Sequence, residues 1–442
     1  MASFFTTTTI RSLSSAALGA LATGGVAAVC YKNGDRDRHF VYCQELAKAP
    51  QHKMFAWGYG VMGQLGQGDG KNKTKPVPVV GIDGNPWRAA CGLTNTAVIT
   101  TEGKLYTWGC GQDGQLAHGV DSRLNALVPA RAEGLPDDKK VVGVSLGESH
   151  SVAVMEDGSA WAWGKNNLGQ CGCGVHAKSN DNLFTTGREL PKPYSPGEVK
   201  LPAGKKVMSA ASGSNHTVAV CTDGSLLVWG SGWDGQLGTG NRRDVFIPVE
   251  PEQGEMSGEH NTIGVSCGQD FSAVVSSDGE LYTFGSNQYG QLGVGDGCLR
   301  SSTPLRVRGP LEERKIVKVA CGGSHMAAVT DEGELYTWGY GRDGNLGHGD
   351  KADVGVPKLV EALKGKRIVD VAAGGGHTMT LDDKGVLYVF GRGRDGQLGR
   401  GDNVESVAAY RPVPVVVDYF GAKKLRVNAI ACGNDHSVAL AA

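Results

Sequence analysis

Five histidines of this 442-residue chain each close a Gly-x-x-His tetrapeptide: His150, His216, His325, His377 and His436. Imidazole carries protons near neutral pH and ligates zinc, so five copies in one setting first suggest a ring of metal ligands. Equivalent positions in adjacent repeats lie much farther apart than the roughly 2 Å reach of an imidazole–zinc bond. The expectation is therefore a histidine bonded to its own loop, and no metal. The cysteines form no site either: there are 11, an odd number, with no Cys-x-x-Cys, and the nearest pair, Cys171 and Cys173, is too tight for a zinc knuckle. Cys91, Cys267, Cys321 and Cys432 each precede a glycine at the end of an apolar run, the place of a small buried hydrophobe in a reducing compartment. A third lead, Gly-x-Gly-x-x-Gly, starts at Gly58, Gly109, Gly230, Gly339 and Gly391. One copy between a strand and a helix would indicate dinucleotide binding, but no helical period follows these. In two further copies Asn166 and Asn287 stand at the middle glycine, and asparagine tolerates positive φ. That position is expected to be a left-handed turn residue, not a phosphate contact. No nucleophile–base pair or carboxylate dyad stands outside the repeats, so neither catalysis nor a cofactor is expected.

These motifs recur because the chain itself repeats. An aromatic-Gly pair returns at Trp57, Trp108, Trp163, Trp229, Phe284, Trp338 and Phe390, at intervals of 51, 55, 66, 55, 54 and 52 residues. A Gly-Gln-Leu-Gly-type loop follows each one. Preceding each aromatic from Trp163 on is an apolar run that ends in Gly147, Gly213, Gly268, Gly322 or Gly374, and Gly433 ends a last such run near the C-terminus; two copies are degenerate at the histidine, ending at Asn95 and Phe271. Residues 151–155 and 159–163 alternate across the turn Asp157-Gly158, and acidic-Gly turns recur at Asp223, Asp278 and Glu332. The 68 glycines, about 15% against a usual ~7%, fit many tight turns, and 40% hydrophobic residues suffice for a core. Units of about fifty residues that cannot bury themselves singly close into a ring. The chain enters with the outer half of a unit (54–57) and leaves with an inner half (430–440). The predicted fold is all-β: over residues 54–442, a seven-bladed β-propeller with four-stranded blades and a composite closing blade. Closure removes open edges, and a monomer is expected.

Trp-Gly-x-Gly-x-x-Gly-Gln-Leu-Gly together with Gly-x-x-His-Ser-x-Ala and the Asp-Gly turn resembles the repeat of the regulator of chromosome condensation family, in all seven copies. The resemblance implies a propeller that binds partners; members include a guanine-nucleotide exchange factor, a plant photoreceptor and organellar biogenesis proteins. In the exchange factor a small GTPase docks on one face, on acidic and histidine side chains of the Gly-x-x-His loops. By position the candidates here are Glu148, His150, Asp270, Asp435 and His436, while the loops at 214–215, 323–324 and 375–376 supply no charge. No basic N-terminal tail for chromatin is present, and DNA is not an expected partner. The photoreceptor's Gly-Trp-Arg-His-Thr motif is absent; Trp233 sits in Gly232-Trp233-Asp234-Gly235.

Residues 1–45 read as a mitochondrial targeting leader: hydroxyl-rich, with Arg11 the one charge before Lys32 and no acid before Asp35. The uncharged run from 16 to 31 falls short of the ~20 residues that span a bilayer comfortably, leaving at most a marginal anchor on the matrix side. Basic pairs such as Lys139-Lys140, Lys205-Lys206 and Arg314-Lys315 precede the first strands and are candidates for RNA phosphates. Strand parity puts the acidic turns on the same face, within a Debye length of ~8 Å, where the signs cancel. A net charge of −1 agrees. The 66-residue interval carries the one asymmetric insertion, with Asn180, Asp181 and Tyr194, and is expected to be a partner contact. The sequence thus reads as a non-catalytic mitochondrial scaffold for protein or ribonucleoprotein partners, with guanine-nucleotide exchange on a small GTPase as the alternative. Deleting residues 180–196 is expected to abolish recovery of those partners in affinity purification; unchanged recovery would contradict that role for the insertion.

Overall fold

The structure, a computed structural model, describes residues 50–119, 124–174, 195–256, 261–295, 297–401 and 409–442. The leader and the insertion residues Asn180, Asp181 and Tyr194 lie outside them.

Each repeat folds as the alternation and acidic turns demand. Gly158, at φ +85°, turns the hairpin between His150–Met155 and Ala160–Gly164, and its N–H donates to Met155 O at 3.0 Å. A third and fourth strand complete seven four-stranded antiparallel sheets. The first strands, among them Pro86–Cys91, Val141–Leu146 and Val427–Cys432, pack side by side around the axis, and the last of these meets the first. Every second strand is buried along its whole length, because both faces of a blade are covered by its neighbours. That explains why these strands read as nearly continuous Val, Ala, Thr and Ser. The core is accordingly seven wedges between blades, not one central mass.

The closing blade is the composite that the chain ends imply. Its strands come from both termini: Lys53–Gly58 pairs with His436–Ala441, Met54 opposite Leu440 and Trp57 opposite Ser437. A one-turn helix, Asp418–Ala422, caps this seam with Phe420, whose ring lies 5.4 Å from Phe55 and 6.0 Å from Trp57. Outer strands carry at least one proline in six blades (Pro78, Pro129, Pro248, Pro304, Pro357 and Pro414 among them). Proline cannot donate to a ladder, so those rims resist pairing with another chain. Among the described residues no helix is long and apolar enough to cross a membrane.

The closing strand holds both ends of the ring. A chain truncated after Gly433 should therefore lose its cooperative thermal transition and collect in the insoluble fraction. A soluble truncation with an unchanged melting midpoint would contradict the closure.

Candidate partner-binding face

The Gly-x-x-His loops and the Gly-Gln-Leu-Gly loops open onto one face, and the five histidines sit directly beneath it with no exposed surface. Each imidazole reaches the next blade. His150 Nε2 meets Thr217 Oγ1 at 3.0 Å, His216 meets Ser272 at 2.9 Å, and His325 meets Thr378 at 2.9 Å. His377 meets Ser437 and His436 meets Thr96, both at 2.9 Å. The last of these contacts crosses the closure. The hydroxyl's own proton goes elsewhere: Ser437 Oγ donates to Gln397 O and Thr96 Oγ1 to Gln64 O, each at 2.8 Å. The hydroxyl must then accept, so the imidazole is the neutral Nε2–H tautomer. The same glutamine carbonyls accept the repeat tryptophans: Trp57 Nε1 donates to Gln397 O at 2.8 Å and Trp108 Nε1 to Gln64 O at 2.9 Å. At three seams, those of His150, His377 and His436, one backbone carbonyl thus ties indole, hydroxyl and imidazole together.

Two of the other four seams show what replaces the missing groups. Where the fourth described blade replaces histidine with Phe271, the next blade replaces the hydroxyl with Met326, and the two pack in one apolar cluster. Gln291 O still has its indole, from Trp338 at 3.0 Å. Where tryptophan becomes Phe284, Gln236 O keeps its hydroxyl, from Ser272 at 2.8 Å. Glycine three residues before the histidine is required by space, not by φ. A Cβ on Gly147 would stand 2.4 Å from His150 Cε1 and 2.6 Å from Gly213 O of the next blade, and Gly213, Gly322, Gly374 and Gly433 are equally confined. Gly268 is blocked by the Phe271 ring at 2.0 Å.

The middle glycine of Gly-x-Gly-x-x-Gly corrects the sequence expectation. Gly60, Gly232 and Gly341 are not left-handed, and neither are Asn166 and Asn287. A Cβ at Gly341 would lie 1.9 Å from Ala352 O, so glycine is there for a close crossing of the loop. Asn287 fits by using its amide: Oδ1 accepts from Leu292 N at 2.9 Å and Nδ2 donates to Cys298 O at 2.8 Å.

Of the three acidic candidates, the structure brings two together. Glu148 is exposed, and Asp270 is half-buried. Burial, then the charges of Asp234 and Glu148, push the Asp270 carboxyl above its ordinary range. Asp435 belongs to a different sector: it is ion-paired with Arg392 and accepts from Gln397 Nε2 at 3.2 Å, while Arg392 Nη1 stands 3.8 Å from Asp343. Among the residues that motif position does not mark are Asp234, visible only as part of the recurring Asp-Gly of these loops, and Arg392, which belongs to no recurring motif. On the opposite face one residue of three basic pairs is taken up by an acidic turn: Lys139 with Asp157 at 2.6 Å, Lys205 with Asp223 at 3.1 Å, and Arg314 with Glu332.

The RCC1-like domain model matches residues 53–439. The chain belongs to the RCC1-like domain family. It is 33% identical to the ultraviolet-B receptor UVR8 of Arabidopsis thaliana, over 79% of this chain and 75% of that one. To the mitochondrial RCC1 domain-containing protein RUG3 of the same plant it is 29% identical, over 88% of each chain. The crystal structure of human WBSCR16 superposes with a TM-score of 0.76 at 25% identity, covering 89% of this chain and 99% of that one. The RCC1-like repeat here spends its histidines and tryptophans on joining blades.

Burial pushes His150 and His325 down to about 4 and His216, His377 and His436 down to about 3. Their folded values lie below the unfolded ~6.5, so the unfolded chain binds more protons. This stabilisation is complete above pH ~6.5 and is lost as pH falls towards 4, by up to ~1.4 kcal/mol per pH unit for each histidine. Urea midpoints measured from pH 7 to 4.5 should fall accordingly. His436→Ala should cost about 2–4 kcal/mol. The pair His436→Phe with Thr96→Met, which copies Phe271 and Met326, should recover most of it and flatten the pH slope.

Proposed function

We propose that this RCC1-like protein is a non-catalytic scaffold that works in mitochondria. It binds protein or ribonucleoprotein partners in ribosome assembly, RNA processing or respiratory-complex assembly. The observation that carries the reading is the use of the repeat's polar groups: imidazoles, hydroxyls and indoles are consumed between blades, and the loop side chains above them are what remains for recognition. Those are Glu148, Asp234 and Asp270 in one sector and the Arg392–Asp435 network in another. The composition of residues 1–45 and the likeness to mitochondrial RUG3 over most of both chains support the compartment. Protein contact is favoured over direct RNA contact, because the first residue of three basic pairs on the opposite face (Lys139, Lys205 and Arg314) is already ion-paired with a carboxylate.

The second reading, nucleotide exchange on a small GTPase, is favoured by the Glu148–Asp270 sector alone, since Asp435 is already held by Arg392. Tagged full-length protein purified from isolated mitochondria, with and without RNase, separates the readings. Ribosomal, RNA-processing or respiratory-assembly proteins are expected, and loss of those proteins with RNase would make RNA the bridge. A single nucleotide-free GTPase, whose nucleotide release slows when Glu148 and Asp270 become alanine, would establish exchange instead. Absence of the protein from mitochondria would remove the proposed setting.

A further inference from the structure

We infer that the partner-binding site is the seam between the third and fourth blades, where Trp233 and Leu299 receive a basic amphipathic segment of a partner protein. The inference rests on the scaffold reading and names its contact. The five repeat tryptophans are at most 1% exposed, whereas Trp233 is 70% exposed and so is Leu299. The two belong to one seam. Arg300, next to Leu299, places Nη1 3.4 Å from Asp234 Oδ1, next to Trp233. The backbones also interlock, since a Cβ on Gly235 would stand 2.4 Å from Ser301 O.

The indole is carried on a braced loop. Gly232 N donates to Asp244 Oδ1 at 3.0 Å, Asp234 N to Gln236 Oε1 at 2.8 Å, and Gly235 N to Gly232 O at 2.9 Å. An aromatic anchor on a loop that is already ordered loses little freedom on binding, and such residues dominate interface energies.

Charge chooses the occupant. Towards the axis lie Asp234, Glu148 and Asp270, close enough that the first two act on the third. Among the described residues neither Glu148 nor Asp270 has a basic partner within salt-bridge distance. Outward stand the exposed Arg242 and Arg243. A partner segment whose leucines or phenylalanines cover Trp233 and Leu299 would thus turn its lysines or arginines inward to the carboxylates. An acidic segment would meet repulsion there.

Fluorescence anisotropy tests this with the full chain and three labelled 18-residue peptides: one with Leu and Phe on one helical face and Lys on the other, its Glu counterpart, and a scrambled Lys version. The amphipathic Lys peptide should bind, and the other two should bind at least tenfold more weakly. Trp233→Ala or Leu299→Ser should weaken binding at least tenfold, Glu148→Gln with Asp270→Asn about three- to tenfold, and Trp233→Phe should retain most of it. Melting midpoints should not move, since both apolar residues are exposed. Equal binding by Trp233→Ala or by the Glu peptide would overturn the inference. So would a Trp233-dependent dimer in light scattering, or competition by single-stranded RNA in place of peptide. If mitochondrial partners are recovered equally by the wild-type chain and Trp233→Ala, the site is wrong while the scaffold reading stands. An empty wild-type recovery counts against the scaffold reading alone, with the titration still deciding the site.

Discussion

The whole ring depends on how closely adjacent blades approach at the glycine before each Gly-x-x-His turn. At six of the seven seams a Cβ on that glycine would stand 2.5–2.7 Å from a carbonyl oxygen of the next blade. This contact forces glycine where no positive φ requires it, and it sets the distance at which an imidazole can reach a hydroxyl on the next blade. A backbone ring runs through the same loops: Glu148 N to Ser214 O, Ser214 N to Gln269 O, and Gly375 N to Asn434 O. Blades that bury only thin wedges of apolar side chains are thereby held in register by polar contacts that have no access to water. A hydrogen bond buried in that way is modest in net worth but costs about 1–3 kcal/mol when one partner is removed.

That dependence explains why residues that look like chemistry are not available for it. A histidine with a proton to exchange needs solvent or a substrate at one nitrogen. Here Nε2 donates to a hydroxyl and Nδ1 is buried against glycine. Phe271 with Met326 makes the point within the chain: an imidazole–hydroxyl pair is exchanged for an apolar pair, and the seam survives. What stays accessible to solvent are the loop residues that the seam does not use. They differ from blade to blade, as Glu148, Trp233 and Arg392 do.

Much of the fold was legible in the sequence because a propeller states its own period. The aromatic-Gly pairs, acidic turns and split terminal unit specify blade number, strand order and closure without any long-range information. The loops were less legible. Asparagine at the middle glycine pointed to left-handed backbone, but Asn287 is there for its amide bonds, a reason that only the crossing loop reveals. Position in the repeat grouped Glu148, Asp270 and Asp435, yet Asp435 is neutralised by Arg392, which is 43 residues away in sequence. The exposure of Trp233 was equally hidden, since its neighbours in sequence match those of repeats that carry no aromatic there.

The most direct measurement is the protonation of the five ring histidines. Protein carrying 15N-labelled imidazoles, followed by two-bond 15N–1H correlation spectra from pH 7.5 to 4.5, reports tautomer and charge at each site. His150, His216, His325, His377 and His436 should all keep the proton on Nε2 and show no titration near 6.5, with His216, His377 and His436 neutral throughout and His150 and His325 beginning to charge only at the acid end of the range. Imidazoles that titrate near 6.5 in the folded protein, or that carry the proton on Nδ1, would contradict the account of how the blades are joined.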